Sequence, residues 1–248
     1  MLLKILTYNI HRAIGVDRRF RPGRIVEILA HYDADIALLQ EVDEGAPRSR
    51  ELDLARELGR EAGYPHVAAG YNVSLRKGRY GNAILSRWPF TLHRNIDLTI
   101  GTRKRRGCLY ARVMLAGPRG DPRELHLFNV HLGLSARERI RQVGMVALSP
   151  EFIAVPKTAV CLVAGDFNDW RAQLVPIFQD VLNFGSADQH RSGFQSVIRT
   201  YPSFSPTGAL DKIYFRGPLR VVGARSGRLG VARVASDHLP VIAEFELD

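Results

Sequence analysis

The sequence has little cysteine and no long apolar run, and each absence excludes a class of protein. Among its 248 residues are 2 cysteines, Cys108 and Cys161, each inside a short apolar stretch. We expect buried free thiols of a reducing compartment rather than a disulfide framework. No apolar run approaches the roughly 18 residues that a membrane-spanning helix needs. Residues 1–10 lack the parts of a signal peptide and are interpreted as a strand, so the expected location is the cytoplasm.

Internal repeats, low-complexity tracts and Pro/Gly/Ser-rich linkers are also missing, which predicts a single domain over residues 1–248. The composition, 46% hydrophobic and 24% charged, is that of an ordinary globular protein. Its charges are unbalanced, because 35 Lys and Arg against 25 Asp and Glu give a formal net charge of +10. Unless this excess only serves solubility, it indicates a polyanionic partner, either nucleic acid or an anionic membrane surface.

Strand-like runs outnumber helical patterns along the chain. Apolar residues recur at helical spacing over residues 22–32 and 51–62, and a Ser135–Glu138 capping box opens a third helix that carries Ile140, Val143 and Val146. The predicted strands cover residues 3–10, 34–40, 82–86, 109–115, 125–130, 158–164, 210–215 and 239–245. This balance disfavours a parallel βαβ array and favours packed sheets with helices outside.

Polar side chains stand at one end of five apolar strands. They are Asn9, the Gln40–Glu41 pair, His131, the group at 166–168, and the Asp237–His238 pair. Burying such a group without a partner costs about 1–3 kcal/mol. One shared polar site at an edge of the sheets is therefore a simpler explanation than five separate accidents.

The residue types at these positions fit one kind of chemistry. Carboxylates and amides, at Asn9, Glu41, Asp166, Asn168 and Asp237, are the hard oxygen ligands that Mg²⁺ or Mn²⁺ prefers. No His-Glu-x-x-His pattern supports zinc. Two imidazoles, those of His131 and His238, remain to donate protons or stabilise negative charge. A metal, a carboxylate base and an imidazole together are what the hydrolysis of a phosphoester needs.

Seven short motifs, in order, resemble those of the endonuclease/exonuclease/phosphatase superfamily, and of its short bacterial stand-alone members in particular. The motifs are Thr7–Ile10, Leu39–Val42, Gly81–Arg87, Asn129–Leu132, Gly165–Asn168, Leu210–Ile213 and Ser236–Pro240. The resemblance covers essentially the whole chain. It implies a metal-dependent phosphoester hydrolase with an α/β fold, a four-layer sandwich of two central, mostly antiparallel or mixed β-sheets flanked by helices.

The same resemblance implies roles for the metal and water positions. Glu41 would be the main ligand of a Mg²⁺ or Mn²⁺ cofactor, supported by Asn9. Asp237 would belong to the metal or water network. Asp166 would position or deprotonate the attacking water.

The remaining roles concern the phosphate. Asn168 would bind the scissile phosphate, and His238 would contact a phosphoryl oxygen while Asp211 orients its ring. His131 would stabilise the transition state or help the leaving group. Asn82 is expected to contact substrate from a supporting position.

The substrate is the least determined part of the prediction. Arg103, Arg105 and Arg106 form a basic loop that could follow a phosphate backbone, lie on an anionic lipid surface, or be solvated only. His11 stands where the abasic-site enzymes commonly have an acidic residue, and it is a candidate substrate contact. The leading hypothesis is a monomeric nuclease. The alternatives are a phospholipid or sphingolipid headgroup phosphodiesterase, a small-phosphomonoester phosphatase, and a binding module without turnover.

Overall fold

Two six-stranded sheets lie face to face in the computed structural model, which describes residues 1–117, 120–188 and 197–247. In chain order the strands are β1 (Leu2–Asn9), β2 (Ile36–Glu44), β3 (His66–Ser74), β4 (Arg79–Ser86), β5 (Phe90–Asp97), β6 (Gly107–Ala116), β7 (Pro122–His131), β8 (Val160–Asp166), β9 (Gly185–Ser186), β10 (Asp211–Arg216), β11 (Leu219–Ser226) and β12 (Val241–Leu247). The first sheet has the order β11-β12-β1-β2-β4-β3, and the second has the order β5-β6-β7-β8-β10-β9.

The helices cover the two outer faces. They are α1 (Pro22–Tyr32), α2 (Leu54–Glu61), α3 (Ala136–Ala147), α4 (Pro150–Ile153) and α5 (Ala232–Ala235). Local sequence explains where the long ones begin, since Pro22 occupies the first turn of α1 and Ser135 Oγ accepts the Glu138 N–H at 3.3 Å. No helix in the described part of the chain is long and apolar enough to cross a membrane.

Three apolar clusters separate four layers. Side chains such as Ile5 and Leu127 fill the space between the sheets. The outer face of the first sheet packs on α1, α2 and α5, and the outer face of the second packs on α3, α4 and a π-helical turn at Ile177–Val181. Each inner strand is therefore buried on both faces, which explains why these strands are continuous apolar runs. The predicted four-layer α/β sandwich is confirmed.

Each sheet has one parallel pair at its centre, and these pairs set the position of the polar strand ends. β1 is parallel to β2, and β7 is parallel to β8, while the other pairings are antiparallel. Parallel neighbours end at the same edge of a sheet, so Asn9 lies beside Gln40 and His131 beside Asp166. The antiparallel β10 begins at that edge, with Asp211 opposite Asp166.

Buried amides join the two sheets below this edge. Asn129 Nδ2 donates to the carbonyls of Leu39 and Ala83, each at 2.9 Å, and so connects β7 with the first sheet. Gln40 Nε2 donates to Asn129 Oδ1 at 2.7 Å. Asn82 Nδ2 donates to the carbonyls of Gly107 and Asn129 at 3.1 and 3.0 Å. These amides come from the recognised motifs and hold the sheets together.

The predicted buried strands and the three predicted helices are present in the structure, although several of their bounds differ from the prediction. The strand predicted for residues 34–40 does not end at Gln40 but continues to Glu44 after a register shift between Leu39 and Val42. Ile140 of α3 is 47% exposed, whereas Val143 and Val146 are buried as predicted. Cys108 and Cys161 are buried and free, as expected. The half-exposed strands β3, β5 and β11 were not predicted, since they lack continuous apolar runs.

Candidate active site

The carboxylate of Asp166 is the point where the predicted site residues converge. Asp166 ends β8 and is buried, and its Oδ2 accepts a hydrogen bond from Asn9 Nδ2 at 3.0 Å. The Nε2 atoms of His131 and His238 lie 3.6 and 3.8 Å from the same oxygen. The other oxygen, Oδ1, accepts the Asn168 N–H at 2.9 Å. Both sheets therefore contribute to one polar cluster.

Asp211 and His238 form a buried acid–imidazole pair. His238 Nδ1 lies 2.8 Å from Asp211 Oδ2, and Thr200 Oγ1 donates to that oxygen at 2.5 Å. The backbone N–H of His238 donates to Ser236 Oγ at 3.2 Å, which fixes the segment before β12. The sequence argument predicted the pair but assigned no role to Thr200.

The two histidines of the cluster have opposite charge preferences. Burial alone would lower the pKa of His238, but the facing carboxylates of Asp211 and Asp166 outweigh it and raise the pKa to about 10. Burial lowers the pKa of His131 well below its usual range, and the positive charges of Arg106, Lys104 and Arg12 add to this effect. His238 is therefore a cation near neutral pH, whereas His131 is a neutral ring.

Asp166 itself is an unusually weak acid. Burial raises its pKa to about 6 against the opposing attraction of His238. A carboxylate with this pKa is ionised at neutral pH and can still accept a proton from a reacting water. The cluster thus contains a proton acceptor and a fixed cation that form an ion pair at 3.8 Å.

Glu41 lies at a bend in β2. Its φ of 55° is in the left-handed region, and it lies within the register shift of that strand. Its Oε2 is buried without a hydrogen-bond partner among the described residues, and Arg12 Nε lies 3.5 Å away. Arg12 belongs to the turn His11–Ala13, in which all three residues have positive φ. Arg12 was not predicted, because nothing in its own sequence context marks this turn.

The donor set fits a hard divalent cation. Buried carboxylate oxygens of Glu41 and Asp211 lack hydrogen-bond partners within the described residues, and an orphaned buried carboxylate oxygen is a site of negative charge that a cation would neutralise. One ligand atom from each of Asp166, Asp211 and His238 lies within 4.8 Å of the others. Because Asp211 already binds His238 and Thr200, Glu41 is the carboxylate with the most free capacity.

Four predicted residues lie at the margin of this cluster. Asn168, with a φ of 50°, donates its side-chain amide to the Leu132 carbonyl at 3.0 Å. Asp237 Oδ1 lies 4.0 Å from His11 Nδ1, and that nitrogen is also 2.9 Å from the Ile14 carbonyl. Asn82 has its amide nitrogen bound to two backbone carbonyls, so only its oxygen remains for a substrate.

The three arginines of the basic loop differ in their surroundings. Arg103 and Arg105 are exposed, and Arg103 Nη1 lies 3.7 Å from Glu138. Arg106 is buried. The sequence analysis treated the three arginines as equivalent, since a run of charged residues does not show which of their side chains is buried.

Comparisons with known proteins agree on one family. The model of the "Endonuclease/Exonuclease/phosphatase family" matches residues 6–238. The chain is 31% identical over 252 residues to the uncharacterized protein YbhP of Escherichia coli (strain K12), which covers 98% of this chain and 96% of YbhP. Two solved structures share the fold. One is D. rerio TDP2 complexed with single strand DNA product, with a TM-score of 0.75, 19% identity and 99% of each chain covered. The other is the mannosyl-6-phosphatase Bt3783 of Bacteroides thetaiotaomicron VPI-5482, with a TM-score of 0.75, 17% identity, and 99% and 100% of the two chains covered.

Proposed function

The chain belongs to the endonuclease/exonuclease/phosphatase family, and from this premise we propose that it is a divalent-metal-dependent phosphodiesterase acting on nucleic acid. Members of the family are generally hydrolases of phosphoesters that depend on divalent metals. The observation that carries the proposal is the convergence of Asn9, His131 and His238 on one oxygen of Asp166, with Asp211 behind His238. This set supplies the groups for attack by water on phosphorus.

Asp166 acts on the attacking water in this proposal. Its carboxylate takes a proton from the water as the water oxygen bonds to phosphorus and the bond from phosphorus to the leaving oxygen breaks. The proton that Asp166 has taken up then passes, directly or through solvent, to the leaving oxygen, so the products are a phosphomonoester and an alcohol and Asp166 is again a carboxylate. Asn9 holds the carboxylate in place through its 3.0 Å hydrogen bond, and Asn168 lies beside the same carboxylate to contact the phosphate.

The two imidazoles divide the remaining work according to charge. The cationic His238, kept charged and oriented by Asp211, meets the negative charge that develops on the phosphoryl oxygens. The neutral His131, whose Nε2 lies 3.6 Å from the same Asp166 oxygen, would offer a hydrogen bond to the leaving group. A preorganised cation of this kind acts without reorganisation during the reaction, which is why removing it should cost much of the rate.

Glu41, with Asn9 and Asp237, would hold Mg²⁺ or Mn²⁺ in this enzyme. Such an ion neutralises phosphoryl oxygens and lowers the pKa of water. Glu41 Oε2 supports this assignment, because it has no hydrogen-bond partner among the described residues, although Arg12 Nε lies 3.5 Å away. Asn9 and Asp237 also offer oxygen atoms, which are the ligands that hard cations prefer.

Charge favours nucleic acid as the substrate. The formal net charge of +10 and the exposed cations Arg103 and Arg105 would attract a phosphate backbone, and His11 would contact it from the margin of the site. Asn82 would contact the substrate only through its oxygen, which accepts a hydrogen bond from a donor such as a base N–H. The related fold of TDP2 complexed with single strand DNA product supports the same choice. We propose that the protein acts as a monomer in the cytoplasm.

A phosphomonoester is the second candidate substrate class. The observation that favours it is the similarity to the fold of a mannosyl-6-phosphatase, at a TM-score equal to that of TDP2. Lipid headgroups form a third class, which the basic loop would also attract.

The test is an activity assay with purified protein in Mn²⁺ and then Mg²⁺. The substrates are plasmid and single-stranded DNA, mixed phospholipid vesicles, mannose 6-phosphate and bis(p-nitrophenyl) phosphate. Asp166→Ala is the control for contaminating enzymes, and EDTA should abolish turnover. DNA cleavage that the variant lacks would support the proposal. Turnover of the monoester or the vesicles without DNA cleavage would overturn the choice of nucleic acid.

A further inference from the structure

Arg106 is a buried cation without a counter-ion. Its side chain is 5% exposed, its Nε has no hydrogen-bond partner, and no ion pair joins it to any residue in the described parts of the chain. The effective penalty for burying a charge is several kcal/mol when nothing compensates it. A guanidinium in this state is complementary to an anion that arrives from outside the protein.

The side chain borders an open pocket of about 370 Å³, which we call the basic pocket and which Arg103, Lys104, Arg106, Gly133 and Glu138 help to line. Among these residues Glu138 is the one carboxylate, and it lies against Arg103 at 3.7 Å. The Lys104 ammonium has no carboxylate partner within the described residues, and it lies 5.8 Å from the Tyr80 ring centroid. The basic pocket is therefore positively charged after its internal ion pair is counted.

The basic pocket adjoins the candidate active site. Gly107, which follows Arg106, is the pairing partner of His131 across β6 and β7. Gly133 of the pocket wall comes two residues after His131. The charges of Arg106 and Lys104 also act on the His131 ring, where they help to lower its pKa. An anionic group bound in the basic pocket would thus lie next to the part of the substrate that contacts His131.

We infer that the basic pocket binds a second anionic group of the substrate, next to the phosphate that is cleaved. The inference rests on the proposed phosphodiesterase function and narrows its substrate class to molecules with neighbouring phosphates, such as an oligonucleotide strand. It disfavours a choline headgroup, because such a headgroup places a cation beside the scissile phosphate, and this pocket would repel it.

The test compares three thymidine dinucleotides that share one internal phosphodiester. One has free ends, d(TpT), and the others carry a terminal phosphate on the 5′ side, d(pTpT), or on the 3′ side, d(TpTp). A charge-assisted hydrogen bond contributes about 1.5–3 kcal/mol, so kcat/KM for one of the phosphorylated forms should exceed that for d(TpT) by about tenfold or more. In Arg106→Ala this ratio should fall to about 1.

The ratio is the readout because a general loss of activity cancels from it. Arg94→Ala is the matched control, since Arg94 is an exposed arginine in the middle of β5 and bonds the His93 carbonyl. It should keep the wild-type ratio, and Arg106→Lys should keep most of it. If Arg106→Ala does not fold, Arg106→Gln gives the same comparison with a neutral side chain of similar length.

The outcomes separate this inference from the proposed function. Equal rates on the three dinucleotides in wild-type protein would overturn the inference, and so would a preference that survives in Arg106→Ala and Arg106→Gln. Cleavage of bis(p-nitrophenyl) phosphate without cleavage of any dinucleotide would also overturn it, while leaving a phosphodiesterase. If no substrate shows turnover that depends on Asp166, the proposed function itself fails.

Discussion

Replacing Asp211 with asparagine should convert His238 from a permanent cation into a group that is neutral at physiological pH. Asparagine keeps an oxygen acceptor near Nδ1 at the position of the 2.8 Å contact but removes the negative charge. Three carboxylates, with Asp211 and Asp166 before Asp237 in effect, hold the pKa of His238 at about 10 against the effect of burial. Without Asp211, burial opposes only the charges of Asp166 and Asp237, and the pKa of His238 should fall toward its ordinary value of 6.5.

The free energy involved follows from that shift. A change from 6.5 to about 10 corresponds to at most about 5 kcal/mol. Since the pKa in the folded state is raised, the contribution to stability is complete below pH 6.5 and is lost as pH rises through about 10. The wild type should therefore lose stability between these limits, and Asp211→Asn should be less stable at pH 7 with a weaker dependence over this range.

Two measurements on metal-free protein check this prediction. Histidine NMR titration gives the pKa of His238 directly, with His238→Gln to assign the signal. Urea denaturation between pH 6 and pH 10 gives the stability profile. A His238 signal that titrates near pH 6.5 in the wild type, or one that stays above pH 9 in Asp211→Asn, would refute the reasoning.

Three further predictions concern the contact between the sheets, the backbone at Gly165 and the metal. Asn129→Leu should lower the free energy of unfolding by about 3 kcal/mol or more in urea denaturation, because it removes one Gln40 hydrogen bond and leaves the Leu39 and Ala83 carbonyls without their Asn129 donor between the sheets; a loss under about 1 kcal/mol would contradict this role. Gly165→Ala should destabilise by about 3 kcal/mol, since a Cβ there would lie 1.9 Å from the Val130 carbonyl oxygen and the φ is +143°, and an unchanged Tm would show that the backbone yields. Mn²⁺ at about 100 times its Kd should stabilise the wild type by about 2.7 kcal/mol in a thermal melt and Glu41→Gln far less, whereas equal gains would exclude Glu41 as a ligand.

The sequence predicted the residues of the candidate site better than the residues that hold the two sheets together. A polar residue at the end of a buried apolar strand can be recognised in the sequence, and parallel pairing of the strands then brings such ends together. This explains why Asn9, His131 and Asp166 were predicted as neighbours and lie as neighbours. The reasoning did not separate polar residues that face the site from those that bond the sheets, so Gln40 and Asn82 were grouped with the site although their amide nitrogens bind protein groups.

Arg12 and Glu41 show the limit of the sequence argument. Both depend on backbone with positive φ at residues that have a side chain, and neither residue type indicates that conformation. The end of β2 was missed for a related reason, because Asp43 resembles the start of a loop. In the structure its buried carboxylate is bound by Arg48 Nε and Nη2 at 2.8 and 2.7 Å, so an arginine beyond the end of the strand compensates the buried charge and allows the strand to continue.

The pairing of β1 with β12 has a consequence for when activity first becomes available during synthesis. β1 lies inside the first sheet, where Thr7 pairs with Val241, more than two hundred positions later. A nascent chain already carries Glu41 and Asp166 long before the ribosome has made His238, which precedes β12. Domains begin to fold from the N-terminus during translation, but this one cannot close its first sheet until β12 has left the ribosome. The order of the strands therefore keeps the His238 imidazole out of the site until nearly the whole chain has left the ribosome.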